Sequence, residues 1–340
     1  MKFNYLILSW FDNNKRDLPW RNTLNPFHIW LSEIILQQTR VDQGMNFYIN
    51  FITEFETVHD LAKADEQKVL KLWQGLGYYS RARNLHITAQ YISNQLNGVF
   101  PDSFEELKKL KGVGDYTAAA ISSIVFSENV PAVDGNMFRV FARYFNIEDD
   151  ISLGKTKKIF WKLGLEIIDQ KRPGDFNQAV MDLGATVCLP KAPKCEICPL
   201  NESCEALRLN KVLELPVKSK KIKVKNRFLH FFLMENNGKI ALIKRQENDV
   251  WRNLYTLPMM ETATDLLETD LSSQLHFISE EKHVLSHQNL FIKYYSVDQE
   301  LMESADLAKI IDYEWIDLNN IDKIPLPKPI EKFINYHFFD

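Results

Sequence analysis

Four cysteines cluster near the middle of the 340-residue chain, and no cysteine occurs elsewhere. They follow the spacing C-x6-C-x2-C-x5-C: Cys188, Cys195, Cys198 and Cys204. Clustered thiols indicate a metal site, because a disulfide scaffold spreads its cysteines over the fold. Four thiolates are the usual ligands of a [4Fe–4S] cluster, whereas structural zinc generally takes two close cysteine pairs, and only one such pair occurs here. The spacing favours an iron–sulfur cluster and leaves zinc, or no metal at all, as the alternatives.

Two carboxylates stand where acid–base chemistry is feasible. Glu33 lies within the apolar helical segment 27–36, and burial there would raise its pKa and keep a proton available. Asp134 directly precedes a second apolar segment, 137–145. Such a pair could supply an acid for a leaving group and a negative charge beside a cationic centre. Each residue also has a plain alternative, since a single helical Glu generally faces solvent and Asp134 suits a helix N-cap.

The segment Gly112-Val113-Gly114 separates two helical stretches within 110–118. Glycine permits positive φ and lets another backbone approach closely. The free amides at the start of the following helix form an anion site that suits a DNA phosphate. Taken alone, the two glycines equally fit an ordinary turn between helices.

Length and composition limit the fold and location of the protein. A chain of 340 residues predicts two domains. The net charge of −4 gives no global indication of nucleic-acid binding, so any basic surface must be local. No run of about 18 apolar residues occurs, and the start of the chain resembles a first helix rather than a signal peptide. We therefore expect a cytoplasmic protein without a membrane span.

Apolar periodicity predicts that residues 1–205 are almost entirely helical. The segments 27–36 and 82–96 have helical spacing, and Asn97-Gly98 would end the second one. Ser103 and Glu106 fit a capping box that opens a further helix.

The pattern changes beyond residue 205. Between 211 and 227 one acidic residue, Glu214, stands among seven basic ones: Lys211, Lys218, Lys220, Lys221, Lys223, Lys225 and Arg227. We interpret 206–227 as a basic linker, with a solvated charge run as the alternative. Residues 228–340 predict a smaller α+β domain. Its expected strands are 228–234, 239–244, 289–297 and 313–316, and its expected helices are 262–275 and 327–336.

The order of these motifs resembles that of the endonuclease III superfamily of DNA glycosylases, and within it the MutY-type adenine glycosylases. The resemblance covers almost the whole chain and is densest over 18–204. It implies an all-α helix–hairpin–helix glycosylase domain, 1–205, with the hairpin at 110–118 and an iron–sulfur loop at 188–204. A Nudix-like α+β domain, 228–340, would follow. The implied cofactor is one [4Fe–4S] cluster on the four cysteines.

The resemblance also implies catalytic roles. The segment 30–39 is similar to the family's catalytic segment, which makes Glu33 the general acid and base. Asp134 would stabilise the oxocarbenium ion, and Asn136 would position the water or the sugar. Tyr116 stands where family members that also cleave the strand carry a lysine. A phenol cannot form a Schiff base, so this position implies an enzyme that only removes the base.

Further positions of the family's motifs would contact DNA. The expected adenine pocket consists of Trp20, Arg21 and Gln178. Residues expected beside the opposite base are Gln38, Leu76 and Tyr78. Ser286 and His287 match a motif that recognises 8-oxoguanine, with Leu285 in place of the family's Phe. The hairpin residues Gly112, Val113 and Gly114 would bind a phosphate. The implied partner is duplex DNA with adenine opposite 8-oxoguanine or guanine, bound by a monomer near the nucleoid of a bacterium.

Other functional classes fit less well. The Arg-Glu-x-x-Glu-Glu metal box of Nudix hydrolases is missing from the sequence, and no glycine-flanked nucleophile turn supports a hydrolase built on Ser286 and His287. A glycosylase that also acts as a lyase is disfavoured by Tyr116 and by the additional C-terminal domain. A non-catalytic iron–sulfur module is disfavoured because Glu33 and Asp134 are both present.

Overall fold

The computed structural model describes residues 2–219, 224–246, 249–267, 275–297 and 313–339. The chain forms two compact units. The first unit comprises Met1–Lys63 and Asn84–Lys220, and the second comprises Ala64–Arg83 and Lys221–Asp340. In the described part of the chain, no helix has the length and apolar character needed to cross a membrane.

The first unit is built of helices joined by short loops. Its helices are α1 (Lys2–Asn14), α2 (Pro26–Leu36), α3 (Val41–Glu54), α4 (Val58–Lys63), α7 (Phe104–Leu107), α8 (Asp115–Val125), α9 (Gly135–Phe145), α10 (Gly154–Ile167), α11 (Pro173–Thr186) and α12 (Glu205–Arg208). Helix α6 (Ser80–Gln95) begins among residues of the second unit and continues into the first. The prediction of an almost entirely helical region is confirmed.

Local signals explain where the functional helices begin. The Asn25 side chain caps α2 by accepting a hydrogen bond from the Phe27 amide, and Pro26 occupies its first turn. The Asp134 side chain caps α9 in the same way, by accepting from the Met137 amide. Helix α9 ends at Asn146, which adopts the left-handed conformation with φ of 51°.

The capping box predicted at Ser103 is wrong. Helix α7 has only four residues, and the Ser103 side chain makes no capping hydrogen bond. Instead, the distant Glu128 carboxylate accepts the Phe104 amide at 2.6 Å. A contact across 24 positions has replaced the local one, which no local pattern reveals.

The core of the first unit lies between α1, α9 and α11. Helix α9 presents one continuous apolar face, with Met137, Phe138 and Phe141 buried. That face packs against α11 and against Phe3 of α1. Because each buried aromatic side chain stabilises the fold by about 2 kcal/mol or more, this core holds the beginning of α9, where Asp134 lies, in a fixed place.

The second unit contains α5 (Glu66–Leu72), two small sheets and a C-terminal helix. The first sheet has the order β5 (Met259–Thr262), β1 (Lys225–Leu233), β7 (Gln288–Val297), β6 (Leu275–Val284). Only the β1–β7 pair in it is parallel. In the second sheet, β3 (Lys239–Lys244) pairs with β2 (Glu235–Asn236), β4 (Tyr255–Thr256) and β8 (Glu314–Asp317). Helix α13 (Lys328–Phe338) stacks Phe333 on Tyr294 of β7 at 3.9 Å. The α+β prediction is confirmed.

Two details of the second unit differ from expectation. The prediction of a helix over 262–275 is wrong where the structure describes this segment. Residue 262 ends β5, residues 263–267 are irregular and residue 275 begins β6. Residues 268–274 lie outside the described part. Arg227 does not belong to an exposed basic surface. It is 7% exposed and pairs with Asp249 and Glu261.

The rest of the basic segment also differs from a free linker where it is described. Leu215 is buried in the core of the first unit, and the Leu215 carbonyl accepts a hydrogen bond from Arg143. Lys211 forms an ion pair with Glu148. Lys220, Lys221 and Lys223 lie outside the described residues.

Candidate active site

Glu33 is a buried carboxyl on the inner face of α2. Glu33 is 8% exposed, and its neighbours Trp30 and Ile34 on the same helix are also buried. Burial raises the pKa of Glu33 to about 7; the charge of Asp134 adds to the rise and a hydrogen bond with Tyr116 opposes it. At neutral pH a substantial fraction of Glu33 therefore carries a proton that it can donate.

Two adjoining cavities of the first unit meet at Tyr116 and Leu36. The larger is a cleft of about 850 Å³ lined by Asp134 and by the hairpin glycines Gly112 and Gly114. The smaller is a pocket of about 80 Å³ lined by a different set: Trp20, Arg21, Glu33, Gln178 and Met181. Tyr116 and Leu36 line both. Glu33 and Asp134 therefore line two neighbouring cavities that share Tyr116 and Leu36 as wall residues.

Tyr116, on the first turn of α8, contributes to that shared wall. Its hydroxyl lies 3.1 Å from Met181 Sδ and is also hydrogen-bonded to Glu33. Burial raises the pKa of Tyr116 well above its ordinary value, and the charges of Glu33 and Asp134 raise it further. The phenol therefore stays protonated and serves as a hydrogen-bond donor rather than as a nucleophile.

Asp134 is held rigidly at the N-terminus of α9. One of its oxygens accepts from the Met137 amide at 2.7 Å, and the other accepts from Asn136 Nδ2 at 2.6 Å. Burial raises the pKa of Asp134, while these hydrogen bonds and the Arg139 charge lower it. Asn136 thus orients the aspartate directly.

Sequence reasoning missed Arg139, one turn further along α9. Its guanidinium donates to Asn136 Oδ1 at 2.7 Å and to the carbonyls of Gly184 and Cys188 at 2.8 and 2.7 Å. Arg139 therefore joins the residues around Asp134 to the start of the cysteine loop. Its i+3 spacing from Asn136 on one helix face was the only local signal.

In the small pocket, the expected adenine-contacting residues are supported by a second residue that sequence reasoning missed, Asp182. The Asp182 carboxylate accepts from Arg21 at 2.7 and 2.9 Å and pairs with Arg16 at 2.6 Å. Burial alone would raise the pKa of Asp182, but the two guanidinium groups hold it below its ordinary value. Arg21 is consequently fixed beside Trp20 and Gln178, with its charge directed to Asp182.

The hairpin turn lies at the mouth of the cleft. Gly112 has φ of +82°, and a Cβ there would stand 2.8 Å from Asn84 Cβ. Val113 is buried beneath it, and Gly114 precedes the first turn of α8. Gln38, with φ of 60°, lines the same cleft, as do two basic residues, Lys157 and Lys158 of α10. The start of α8 and the two lysine side chains thus border the cleft near Asp134.

A separate pocket of the first unit is lined by all four cysteines: Cys188, Cys195, Cys198 and Cys204. Arg143 of α9 borders it, and its guanidinium donates to Cys188 Sγ at 3.3 Å. Among the described residues, no group of three or more His, Cys, Asp or Glu side chains is arranged to hold a single metal ion. Four thiols around one pocket match the four-thiolate ligand set of a [4Fe–4S] cluster, and the guanidinium suits an anionic thiolate cluster.

In the second unit, Tyr78 stands on a tight loop. Its φ is 48°, an uncommon value for a bulky side chain, and its side chain remains 42% exposed. Trp73 Nε1 and the Arg81 guanidinium both donate to the Gly77 carbonyl, and the guanidinium lies 5.6 Å from the Tyr78 ring. The backbone strain of Tyr78 is therefore maintained by its neighbours.

The residues matched to the 8-oxoguanine motif lie on the turn between β6 and β7. Tyr78 donates to Ser286 Oγ at 2.7 Å, and His287 Nδ1 lies 3.3 Å from the same oxygen. One cavity of about 510 Å³ in this unit is lined by Tyr78, Ser286, His287, Leu285 and the mostly buried Leu76. The structure thus brings together Tyr78, Leu76 and the Ser-His pair.

Comparisons with known proteins identify the family of the chain. Residues 31–165 match the family model of the HhH-GPD superfamily base excision DNA repair protein, and residues 230–336 match that of the NUDIX domain. An adenine DNA glycosylase of Buchnera aphidicola is 35% identical over 98% of this chain and 95% of its own length. The adenine DNA glycosylase of Homo sapiens is 43% identical over 60% of this chain and 39% of its own length.

Solved structures agree with the fold of the first unit. A thermostable thymine-DNA glycosylase has a TM-score of 0.56 at 30% identity, covering 61% of this chain and 95% of its own. An endonuclease III–DNA complex has a TM-score of 0.53 at 22% identity, which supports the fold alone; it covers 61% of this chain and 94% of its own. The chain belongs to the adenine DNA glycosylase family of the helix–hairpin–helix base excision repair superfamily.

Proposed function

We propose that this chain hydrolyses the N-glycosidic bond of adenine placed opposite 8-oxoguanine or guanine in duplex DNA, and that it does not cleave the strand. The observation that carries the proposal is the buried carboxyl of Glu33, with a pKa of about 7, beside a pocket whose wall it shares with the cleft of Asp134. A purine nucleoside that enters the cleft would direct its base to the acid and its sugar to the aspartate.

Adenine flipped from the duplex would occupy the small pocket. Trp20 offers a flat apolar surface there, and the Gln178 amide offers one donor and one acceptor to the edge of the base. Glu33 donates its proton to the imidazole ring of the purine. The glycosidic electron pair then leaves with the base, and C1′ becomes cationic.

Asp134 would stabilise that cation from the cleft. The hydrogen bonds from Met137 and Asn136 oppose the effect of burial on its pKa and fix the carboxylate in place before substrate arrives. Water then adds to C1′, and its proton passes to the Glu33 carboxylate, which restores the acid. The base carries away the first proton, so the cycle balances.

The absence of strand cleavage follows from Tyr116. A lyase needs an unprotonated amine that attacks C1′ of the sugar. Tyr116 occupies the wall between the two cavities, and its phenol remains protonated. Lys157 and Lys158 line the cleft, but they fit phosphate contacts at its basic border.

Cys188, Cys195, Cys198 and Cys204 would hold one [4Fe–4S] cluster. The bound cluster would fix the loop 188–204 and supply no step of the hydrolysis. Arg143, which contacts both the loop carbonyls and Cys188 Sγ, would secure this loop to α9. The same helix begins at Asp134, so the loop supports the active site through α9.

Duplex binding would use the hairpin amides of Gly112 to Gly114 for a backbone phosphate. Tyr78, Leu76 and the pair Ser286 and His287 would face the 8-oxoguanine, and Gln38 would also contact the duplex. The exposed Tyr78 ring can stack on a base, and the Ser286 hydroxyl can donate to or accept from the oxidised edge. We place this activity in the cytoplasm of a bacterium, at the nucleoid.

The test is a single-turnover assay on a duplex that holds adenine opposite 8-oxoguanine, analysed with and without alkali. Strand breaks that appear only after alkali support the proposal, because they report an abasic site. Breaks without alkali would show a lyase instead. No product, with the cluster absorbance and duplex binding intact, would show a non-catalytic binding protein.

A further inference from the structure

The segment Ala64–Arg83 is tied to the C-terminal part of its unit by hydrogen bonds between residues that lie far apart in sequence. At one end, Asn253 Nδ2 donates to Glu66 Oε1 at 2.5 Å, and Gln67 Nε2 donates to the Asn253 carbonyl at 3.3 Å. At the other end, the Arg83 guanidinium donates to the Arg252 carbonyl at 2.8 Å. These contacts join α5 and the start of α6 to the turn before β4.

Two more bonds hold the middle of the segment. Lys71 Nζ donates to the Ile324 carbonyl at 3.1 Å, and the Leu326 amide donates to Gln74 Oε1 at 3.0 Å. Gln74 directly precedes the loop 75–79, which carries Tyr78. That loop is therefore anchored on the C-terminal part of the chain immediately before it turns.

The contact between Tyr78 and Ser286 joins the same two parts of the unit as these anchors. The 2.7 Å bond between the two hydroxyls joins the loop 75–79 to the β6–β7 turn, across 208 positions of sequence. A hydrogen bond between side chains on two loops is favoured when other contacts already fix both loops, because less conformational entropy is then lost in forming it. The strained φ of 48° at Tyr78 makes the loop conformation unfavourable unless other contacts support it.

We propose that Glu66 and Gln74 are positioning residues that set Tyr78 against Ser286, and thereby determine the preference for 8-oxoguanine over guanine opposite the adenine. The inference rests on the proposed function, because it assigns to these anchors the selectivity of that same site. Neither residue lines the cavity that holds Tyr78 and Ser286. Their influence passes through the geometry of the loop, and the acid and aspartate of the first unit are untouched.

The test uses the full chain with its cluster and the double variant Glu66→Ala/Gln74→Ala. Affinity is measured for duplexes carrying 2′-fluoro-deoxyadenosine, which resists excision, opposite either 8-oxoguanine or guanine. Loss of two hydrogen-bond acceptors is expected to lower the ratio of the two affinities by about tenfold. The single-turnover rate on saturating adenine:8-oxoguanine duplex should stay within about twofold of wild type, since chemistry lies elsewhere.

Two controls separate positioning from general destabilisation. Glu56→Ala/Gln95→Ala removes the same side-chain types at exposed positions of the first unit and should leave the ratio unchanged. Glu66→Gln in the presence of native Gln74 keeps an acceptor for Asn253 and should retain the native ratio. Ser286→Ala should cost little further selectivity in the double variant, because both changes remove the same contact.

Each outcome decides. A lower ratio with an unchanged excision rate supports positioning. If the wild-type chain discriminates and the double variant keeps the same ratio, or loses both affinities in proportion, the inference is overturned. If the wild-type chain itself binds both duplexes equally, the proposed recognition of 8-oxoguanine fails, and the anchors have no selectivity to position.

Discussion

The pKa of Glu33 predicts how excision depends on pH. In the proposed mechanism the protonated carboxyl is the active acid, so the rate should be high below the pKa and fall above it. With a pKa of about 7, about nine-tenths of the groups are protonated at pH 6 and about one-tenth at pH 8, so the second-order rate constant should fall about tenfold between them. Burial is the cause of the rise, so the effect belongs to the folded site.

The assay is single-turnover excision at enzyme concentrations well below saturation, because the resulting second-order constant reports groups of the free enzyme. Duplex affinity is measured separately at each pH, with the non-cleavable 2′-fluoro substrate. Glu33→Gln should abolish the fall between pH 6 and 8 along with most of the activity. Glu56→Gln, at an exposed position, is the matched control and should retain the native profile.

A rate that stays flat or rises between pH 6 and 8 while duplex affinity is constant would show that Glu33 does not act as the proposed acid. A fall centred near pH 4.5, the ordinary pKa of a glutamate, would equally contradict that role. That result would mean that Glu33 is solvated in solution and cannot store a proton at neutral pH.

Three further predictions concern stability and positioning. The folded pKa of Glu33 is raised from 4.5 to about 7, so the free energy of unfolding of wild type should fall as pH rises through that range. Glu33→Gln should therefore be more stable than wild type by about 3 kcal/mol at pH 9. The urea midpoints of the two proteins should converge towards pH 4.5. Arg139→Met removes the 2.7 Å bond to Asn136 and should slow excision about tenfold with duplex affinity unchanged; equal loss of both would contradict a positioning role. Gly112→Ala places a Cβ 2.8 Å from Asn84 at a positive φ, so it should lower the free energy of unfolding by about 1 kcal/mol or more. It should also weaken binding to every duplex alike. Unchanged thermal unfolding and binding curves would contradict the proposed role of the hairpin in DNA binding.

The sequence predicted those parts of the fold that depend on local periodicity. The apolar spacing of 27–36 places Glu33 on a buried helix, and the position of Asp134 before 137–145 anticipates its N-cap. Both signals are local, since helix formation and capping depend on residues within a few positions of each other. Family motifs added the roles that such patterns alone leave open.

The supporting residues depend on contacts between distant segments. Asp182 reaches Arg21 across 161 positions and Arg16 across 166. Nothing in the order of residues near Asp182 indicates those partners. The same holds for Gln74, whose partner Leu326 lies 252 positions away.

Strand β6 shows a different limit. Its sequence carries Glu280, Glu281 and Lys282 in its middle, and none of its residues is fully buried. A polar strand at the edge of a sheet lacks the apolar alternation by which strands are recognised. Pairing with β7 stabilises β6 as a strand. The Tyr294 hydroxyl of β7 also donates a hydrogen bond to Glu281, a contact that no local pattern predicts.

The most direct test of the central claim compares wild type with Glu33→Gln on a duplex that holds adenine opposite 8-oxoguanine. Both proteins should bind the 2′-fluoro duplex with the same affinity within about twofold. Under saturating single-turnover conditions, the variant should release adenine at least about 100-fold more slowly, because a general acid contributes that much or more. Equal binding with adenine released at the wild-type rate would show that Glu33 is not the acid, and the mechanism built on its buried carboxyl would be wrong.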